Sequence, residues 1–459
     1  MGKLTLFLIF SFAYFGLFSQ RLSIVDIQLE GNQKTKDFVI FRELDLKVGL
    51  ALDILELEER IIRSKQNLQN TSLFNDIQIT HTVNNQNVSI LVQLKERWYL
   101  WPSIIFQLQE RNFNDWWVNG HQFNRVNYGF SVRQFNFRGQ RENLTLLFQS
   151  GYTDAIGIKY EKPMIKPMSP WGFVVDLNYA TRHEIPVNSD DNKWVFYKND
   201  DVFLRTETKG YFEYYLRQGF YTKHRFLLDF KKVTIDQSVL DWNQEYLMGS
   251  NQVENKLLSF IYHFRIDRRN NQNYPTKGSY FEAEAVKKGL GVFNNLPNYF
   301  YFQSEWKLFR ALNERLFTST SLRGKLSNQN IPGYYYQSTM SSRDLPRGYD
   351  LYAVDAQNFF TFKSNLKYNW FKKRKFNIKP IPFSKFNEIH FRSYFGPFFD
   401  IGYLEDMDTQ RHNPLNYNWL ISGGLGLDVV TYYDLVLRVE YTYNHLLEKG
   451  LFIHFTAPI

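Results

Sequence analysis

Hydrophobic and polar positions alternate with a period of two over most of the chain after residue 98. One run places Leu258, Phe260, Tyr262, Phe264 and Ile266 at alternate positions. The polar residues Ser259, His263 and Arg265 stand between them, and Asp267 follows. Successive side chains of a strand point to opposite faces. A row of large apolar side chains on one face, with charges on the other, is typical of a strand that crosses a membrane around a wet interior.

The same alternation predicts about sixteen strands in this part of the chain. They fall near 100–109, 124–137, 141–151, 154–163, 171–184, 202–217, 222–236, 254–268, 277–290, 298–311, 315–326, 357–371, 388–404, 418–430, 434–444 and 450–457. An even number suits a closed bacterial barrel. The long connections 185–201, 237–253, 327–356 and 405–417 then share one side of the membrane, and most of the others are short. The sequence therefore predicts a 16-stranded antiparallel transmembrane β-barrel over residues 98–459.

Residues 21–97 have a different pattern, in which helical and strand periods both occur. A short apolar strand that contains Ile24 and Ile27 ends at the turn Glu30-Gly31-Asn32. Two helices are predicted next, and the second has Leu57, Ile61 and Leu68 on one face. Two strands, 74–83 and 88–96, complete a βααββ order. A small α/β module therefore precedes the barrel.

The first twenty residues have the features of a secretory signal peptide. Lys3 supplies a positive charge, and the apolar run 4–18 ends at the small residue Ser19. The alternative is an N-terminal membrane anchor, but about fifteen apolar residues are few for a helical span. We expect an exported protein whose domains are a signal peptide (1–20), the small module (21–97) and the barrel (98–459).

Composition fits this architecture and argues against several others. Aromatic residues make up 18% of the 459 residues, yet the mean hydropathy is −0.42. A helical membrane protein is apolar throughout, whereas a barrel alternates a lipid-facing and a wet face. The chain contains no Cys, which excludes disulfides and thiolate metal sites.

Enzymatic function is not indicated. The nine His residues form no metal-binding motif. The glycine-rich run at 423–426 lacks the strand-turn-helix context of a phosphate loop. We therefore expect no catalytic residues, metal or cofactor.

The basic stretch 372–375, within a predicted periplasmic connection 372–387, has two interpretations. Nucleic acid binding is one, but basic residues beside a membrane more often meet anionic head groups. We expect outer-membrane lipids and lipopolysaccharide as surroundings, and no nucleic acid.

The small module closely resembles a POTRA domain. The resemblance rests on Glu30-Gly31-Asn32 followed by Thr35, on residues 40–44, Ile-Phe-Arg-Glu-Leu, on Gly49, and on Leu73-Phe74-Asn75. POTRA domains are the periplasmic modules of the family of outer-membrane assembly and secretion proteins that includes BamA and TamA. The resemblance implies that this module binds extended polypeptides by adding a strand to its sheet. Gly31 and Asn32 would form its characteristic turn.

The barrel resembles the same family at four places. They are residues 136–139, residues 267–278, the motif Arg347-Gly348-Tyr349, and residues 398–402 with the glycine-rich run after them. In the family, the arginine-glycine-aromatic loop folds back into the lumen, which implies the same for Arg347, Gly348, Tyr349 and Asp350.

Strand alternation places Asp400 and Gly402 on one face of the thirteenth predicted strand. Asp400 is therefore the expected inner-wall partner of Arg347. Family members often carry an acidic residue on the twelfth strand. Here the inward positions of that strand are Thr361, Lys363, Asn365 and Lys367, with no acid among them.

The resemblance implies a protein that inserts other polypeptides into the outer membrane or translocates them across it. Client strands would pair with a weak seam between the first and last strands. The residues expected at that seam are Gly423, Gly424, Gly426, Phe452 and Phe455. Expected partners are client polypeptides and periplasmic or lipoprotein accessory subunits. Alternatives are a passive channel or substrate receptor of the same architecture, and a structural adhesin-like barrel, because a fold does not decide its function.

Overall fold

The computed structural model describes residues 21–108, 126–293, 298–328, 333–337, 340, 343–377, 388–406, 413–431 and 435–456. The predicted signal peptide, 1–20, lies outside the described residues. The described chain forms a small four-stranded sheet with two helices, followed by a 16-stranded sheet. No helix within these ranges combines the length and the hydrophobicity needed to cross a membrane.

The N-terminal module has the predicted order of elements, with one short strand added. Its elements are β1 (Leu22–Glu30), α1 (Asp37–Phe41), β2 (Ala51–Leu52), α2 (Ile54–Asn70), β3 (Phe74–Asn84) and β4 (Asn87–Glu96). The strands lie in the order β2-β1-β4-β3, so β3 is an edge strand. Asp53 caps α2 by accepting a hydrogen bond from the Glu56 amide at 2.8 Å. Leu57 and Leu68 of α2 are fully buried in the core against the sheet.

The remaining strands begin at residue 100. They are β5 (Leu100–Leu108), β6 (Val126–Gln134), β7 (Asn143–Gly151), β8 (Thr153–Lys162), β9 (Trp171–Arg182), β10 (Glu184–Asp190), β11 (Lys193–Lys198), β12 (Arg205–Gln218), β13 (Thr222–Ile235), β14 (Glu254–Asp267), β15 (Gly278–Lys288), β16 (Tyr299–Ala311), β17 (Leu316–Ser327), β18 (Asn358–Asn377), β19 (Glu388–Glu405), β20 (Trp419–Val430), β21 (Val436–Asn444) and β22 (Lys449–Thr456). Apart from the separate hairpin β10–β11, they form one antiparallel sheet in sequence order. The predicted sixteen strands are confirmed.

The two faces of this sheet differ as the alternation predicts. On β12, Phe212 is 50% exposed, whereas the next residue, Glu213, is fully buried. Phe212 lies opposite Leu228 in the ladder, so apolar side chains form continuous outward rows. Glu213 instead accepts a hydrogen bond from Arg225 of β13, Nε to Oε1, at 2.6 Å. The outward face is apolar and the inner wall carries paired charges.

Two predicted connections differ from the structure. The loop at 185–201 contains the hairpin β10–β11, whose residues Ile185 and Val187 pack into an apolar cluster above the barrel rim. The predicted connection 372–387 is wrong at its start, because β18 continues to Asn377. The ladder to β19 continues there, with Phe376 opposite Ile389, after register shifts near Phe371. Alternation breaks down at 372–375, and the ladder resumes at Arg374, opposite Phe391. Residues 378–387 lie outside the described ranges.

Candidate functional site: a loop anchored inside the barrel

Arg347 lies inside the barrel and is bound to Asp400 of β19. Its Nε and one terminal nitrogen donate to the two carboxylate oxygens of Asp400 at 2.8 and 2.6 Å. The Arg347 amide donates to the same carboxylate at 3.1 Å. Asp400 is fully buried, and the Arg347 side chain is 10% exposed. A planar guanidinium held at two oxygens is fixed in orientation as well as in position.

The remaining guanidinium donors of Arg347 reach two further strands of the wall. The second terminal nitrogen donates to Glu440 of β21 at 2.9 Å and to Asn365 of β18 at 2.8 Å. The plane of the group lies 3.8 Å from the ring centre of Phe398. This one side chain therefore ties the loop to β18, β19 and β21 through charge, hydrogen bonds and a cation–π contact.

The other motif residues are also positioned by specific contacts. Gly348 has φ +85, a conformation that glycine adopts without strain, and its carbonyl accepts from the Asn444 amide group at 3.0 Å. Tyr349 is fully buried, and its hydroxyl donates to the Ile421 carbonyl at 2.9 Å. Asp350, also buried, accepts from the Gly348 amide at 3.3 Å. All four predicted loop residues thus lie inside the barrel.

Glycines on the inner wall make room for this loop. A Cβ at Gly402 would stand 2.9 Å from Pro346, the residue before Arg347. A Cβ at Gly424 would stand 2.8 Å from the ring of Phe398, on which Arg347 stacks. Both distances are shorter than side-chain contacts allow, so the two glycines shape the recess that receives the loop.

The structure changes the predicted role of the glycine-rich run. Gly423, Gly424 and Gly426 lie in β20, which is paired on both edges, with β19 and with β21. They are therefore not part of an end strand, and their placement at the seam is wrong. The alternation identified a strand with little side-chain volume, but only the strand order shows which strands are at the ends.

The end strands of the sheet are β5 and β22. Within their described residues, no backbone ladder joins them. Pro102 in β5 lacks an amide hydrogen, which is typical of an edge strand. Phe452 of β22 is buried, whereas its neighbours Leu451 and Ile453 are about half exposed. The predicted seam residue Phe455 lies in β22, but its side chain is outside the described part.

The predicted turn of the small module is present. Gly31 has φ +87, and a Cβ there would stand 2.0 Å from the Leu94 carbonyl oxygen. Asn32 donates to the Thr35 carbonyl at 3.1 Å and to the Asp37 carboxylate at 2.7 Å. This turn leads the chain from β1 to Thr35, at the contact with the barrel.

Thr35 joins the small module to the turn between β6 and β7 of the barrel. Its hydroxyl donates to Glu96 at 2.6 Å and accepts from the Asn136 amide group at 2.9 Å. Beside it, the Lys36 amide donates to the Gly139 carbonyl at 2.9 Å. Residues 136–139 are among those that carried the family resemblance, and the structure shows that they contact the module.

A second contact between module and barrel is ionic and centres on Glu43. The buried carboxylate accepts from a terminal nitrogen of Arg217 on β12 at 2.6 Å and from Arg141 at 3.2 Å. Burial by itself would raise the pKa of Glu43, but the guanidiniums of Arg217, Arg141 and Arg42 outweigh it and hold the pKa below its usual value. The module is thus held by a charged carboxylate at neutral pH.

Two residues of these sites were missed by sequence reasoning. Glu440 is one of several inward residues on β21, and nothing in the local pattern shows that it lies at the level of Arg347. Glu43 belongs to a recognised motif, but its partner Arg217 is 174 residues away. One sequence signal was available for Glu440. The twelfth strand offers Arg347 no carboxylate, so a second acidic partner had to come from another strand.

Comparison with known proteins supports this architecture. A family described as a surface antigen variable number repeat, POTRA, matches residues 23–97. BamA from Haemophilus ducreyi lacking POTRA domains 1–3 superimposes with a TM-score of 0.51 and 12% identity, over 95% of this chain and 83% of that chain. The comparison with curated proteins gives no match.

Two structures of CdiB are also similar. CdiB from Escherichia coli has a TM-score of 0.54 and 10% identity, over 95% of this chain and 75% of that one. CdiB from Acinetobacter baumannii has a TM-score of 0.50 and 13% identity, over 95% and 73%. At sequence identities this low, the similarity to these structures is a similarity of fold.

Proposed function

Because residues 23–97 are a POTRA domain and the barrel that follows has the fold of BamA and CdiB, we propose that this protein inserts other polypeptides into the bacterial outer membrane or translocates them across it. The POTRA domain would stand in the periplasm, and lipids with lipopolysaccharide would surround the barrel. Periplasmic or lipoprotein accessory subunits are part of this proposal.

The observation that carries the proposal is that the described residues of β5 and β22 form no ladder with each other. An unpaired strand edge offers a row of amide and carbonyl groups to another chain. On β5, Ile104 is 91% exposed and Phe106 is 68% exposed, so this edge strand presents apolar side chains to its surroundings. A client strand that pairs there would have its backbone groups satisfied while it enters the lipid phase.

The POTRA sheet offers a second edge. Its outermost strand β3 has one ladder partner, β4, among the described residues. Thr80 and Thr82 lie exposed along it. Extended peptides bind such edges by continuing the sheet. We propose that a client first pairs with β3 and then passes to the barrel seam.

Site-specific photo-crosslinking tests both edges. A photoreactive residue at Thr80 of β3 or at Ser103 of β5 is expected to capture unfolded outer-membrane clients in cells. The control position is Glu59, exposed on α2 and away from the sheet edge. Equal capture from Glu59 and from the strand positions would contradict pairing at the edges.

A passive channel or receptor is the second candidate, and a cavity favours it. A space of about 520 Å³ inside the barrel is lined by charged groups that include Arg343, Lys363 and His454. Depletion of the protein followed by a survey of outer-membrane proteins separates the two functions. The proposed function requires that client levels fall. Unchanged levels, together with a large steady conductance in planar bilayers, would favour the channel.

A further inference from the structure

The cavity of about 520 Å³ inside the barrel lies between three strands of the wall and the loop that Arg347 anchors. Side chains of β16, β17 and β18 form much of its lining, and hydroxyl groups such as those of Ser321 and Thr361 are among them. Arg343 lines the cavity from the loop, four residues before Arg347. The site is therefore built by the wall and the loop together.

Three inward side chains form a row across these strands. Lys307 of β16 is the ladder partner of Ser321 of β17, and Ser321 is the ladder partner of Lys363 of β18. All three line the cavity. Residues directly opposite each other in an antiparallel pair lie about 4.5–5.5 Å apart. Two lysines therefore flank one serine at the same level of the wall.

The loop adds a guanidinium next to this row. The Lys363 ammonium donates to the Arg343 carbonyl at 2.9 Å, so the loop passes directly beside the wall lysine. The Arg343 guanidinium donates to Glu305 of β16. Glu305 also lies 3.0 Å from the Lys307 ammonium. One carboxylate is thus shared between a cation of the wall and a cation of the loop.

The cations around this cavity are more exposed to it than the carboxylates that pair with them. The Arg343 side chain is 52% exposed, whereas that of Glu305 is 4% exposed. Arg438 likewise lines the cavity, while its partner Asp428 is buried behind the lining. An anion that enters the cavity therefore meets positive groups first, where the surrounding protein strengthens their attraction. The described lining contains three acids, Glu305, Asp350 and Glu440, and eight cations, Arg269, Lys307, Arg323, Arg343, Arg347, Lys363, Lys367 and Arg438.

The combination of ammonium, guanidinium and hydroxyl groups suits an oxyanion. Lysine binds phosphate as a point charge, and arginine binds two of its oxygens at once. The hydroxyl groups of Ser321 and Thr361 add neutral donors. A chloride ion gains from the charge but has no separate oxygens to offer to several donors. Because the cavity lies on the inner side of the wall, away from the lipid-facing side, its ligand is a soluble anion and not a lipid head group.

We infer that this cavity binds a soluble phosphate or diphosphate group, held by Lys307, Lys363 and Arg343. Since Arg343 belongs to the loop that Arg347 anchors, the bound anion also strengthens the attachment of the loop to β16 and β18. The inference does not depend on the proposed function, because such a site is compatible with an assembly protein and with a channel.

Equilibrium dialysis of the unaltered full-length protein in detergent tests the inference. The probes are radiolabelled inorganic phosphate and diphosphate, each in sodium chloride at the same ionic strength, so that screening is equal throughout. We expect one diphosphate to be retained per chain, and phosphate to bind more weakly because it carries less charge. Retention of neither anion overturns the inference and leaves the proposed function untouched.

Variants locate the site. Arg343→Gln and Lys363→Gln are each expected to weaken diphosphate binding by about tenfold, the effect of losing one charge-assisted hydrogen bond. Lys209→Gln on β12 is the matched control. Lys209 pairs with Glu207, two residues earlier on its strand, as Lys307 pairs with Glu305, but it lies outside the cavity lining. Equal weakening by Lys209→Gln would indicate a general effect of positive charge in the lumen and would overturn the assigned site.

Urea unfolding provides a second measurement on the same proteins. In chloride alone, the unfolding transition establishes that each variant is folded. A ligand that binds only the folded protein stabilises it. Diphosphate should therefore raise the urea midpoint of the unaltered protein and of Lys209→Gln, and raise that of Arg343→Gln far less. An equal rise in Arg343→Gln would contradict the contribution of the loop to the site.

Discussion

Arg347 shows how one residue can hold a long loop against the inner wall of a barrel. It has two buried carboxylate partners, Asp400 and Glu440, and a ring, Phe398, beneath its guanidinium plane. Removing the guanidinium takes away the bidentate partner of Asp400 and one of the cations beside Glu440. Leaving a buried carboxylate without its partner costs more than the loss of the contacts themselves. Arg347 therefore pairs with carboxylates of two different strands, β19 and β21.

Replacing Arg347 by Ala is expected to destabilise the barrel by about 3–5 kcal/mol, as for removal of one partner of a buried ion pair. The loss should be smaller in a Glu440→Gln background, because one of the two uncompensated charges is then absent. Urea unfolding monitored by tryptophan fluorescence measures all four proteins. Identical losses in the two backgrounds would show that Glu440 is not coupled to Arg347.

Neighbouring glycines of β20 provide a matched test of the recess. Gly424→Ala would press a Cβ against the Phe398 ring and the Tyr441 carbonyl, at 2.8 and 2.1 Å. Gly423→Ala meets only the Phe398 carbonyl, at 3.4 Å, an ordinary contact. We expect Gly424→Ala to lose about 1–3 kcal/mol in the same urea assay, as overpacking does, and Gly423→Ala to lose far less. Similar losses of stability in the two variants would mean that any Cβ in this part of β20 is unfavourable, whether or not it faces the recess.

At the scale of elements, two connections between strands enter the barrel and occupy part of its lumen. The loop that carries Arg347 enters from one end, and the β14–β15 turn reaches in from the other. In that turn Tyr274 donates to Asp428 of β20 at 2.7 Å and packs against Tyr394 of β19. Two connections thus meet the same wall, β19 and β20, inside the lumen. The turn at 136–139 reaches outward instead and holds the POTRA domain.

Gly139 tests this outward turn. It has φ +75, and a Cβ there would stand 2.1 Å from the Lys34 carbonyl. Gly139→Ala should therefore release the hydrogen bond from the Lys36 amide and speed its hydrogen exchange by at least about tenfold, a cost of roughly 1.4 kcal/mol. Gly219→Ala is the control, since its φ is +61 and it has no atom within 4 Å. If Gly219→Ala speeds hydrogen exchange at the Lys36 amide as much as Gly139→Ala does, the contact between Gly139 and Lys34 is not the cause.

At the scale of the whole molecule, the POTRA domain is fixed to the barrel by a neutral and an ionic contact. The neutral one joins Thr35 to Asn136, and the ionic one joins Glu43 to Arg217. Glu43 and Arg217 also line the cavity between the POTRA domain and the barrel. The two contacts lie on different barrel segments, the β6–β7 turn and β12, so together they fix the orientation of the domain.

The ionic contact predicts a dependence on pH. The pKa of Glu43 is lowered in the folded protein, so its contact stabilises the junction above its unfolded pKa of about 4.3. That stabilisation is lost as the pH falls through the folded pKa. Acidification below about 4 should open the junction, as measured by spin-label distances between the POTRA domain and the barrel. Glu43→Gln should weaken the junction already at neutral pH and remove this part of the pH response. A pH response unchanged in Glu43→Gln would assign it to other groups.

The two connections that enter the lumen predict a small conductance. Tyr274→Ala removes both the hydrogen bond to Asp428 and the packing on Tyr394, and is expected to raise single-channel conductance or the frequency of open events in planar bilayers. Tyr274→Phe keeps the ring and should have a smaller effect. Unchanged currents in Tyr274→Ala would show that the β14–β15 turn does not obstruct the path.

How far the sequence could predict the site differs from residue to residue. Asp400 was predictable because alternation determines its face and the strand lies within the resembling segment. Glu440 was not, because alternation gives the face of a residue but not its height in the barrel. The glycines at 423–426 were assigned to the wrong strand pair for a related reason, since pattern alone does not establish which strands are terminal.

The sequence by itself determined the number of barrel strands, the face of most side chains on them, the POTRA module and the loop motif. These depend on local periodicity and turn chemistry, which act over a few residues. Tertiary structure alone decided that Arg347 meets Glu440 and that Glu43 meets Arg217. It also decided that β5 and β22 are the end strands of the sheet that the described residues form. Such contacts depend on strand register and on how the sheet curves, and both arise only when residues far apart in sequence pair with each other.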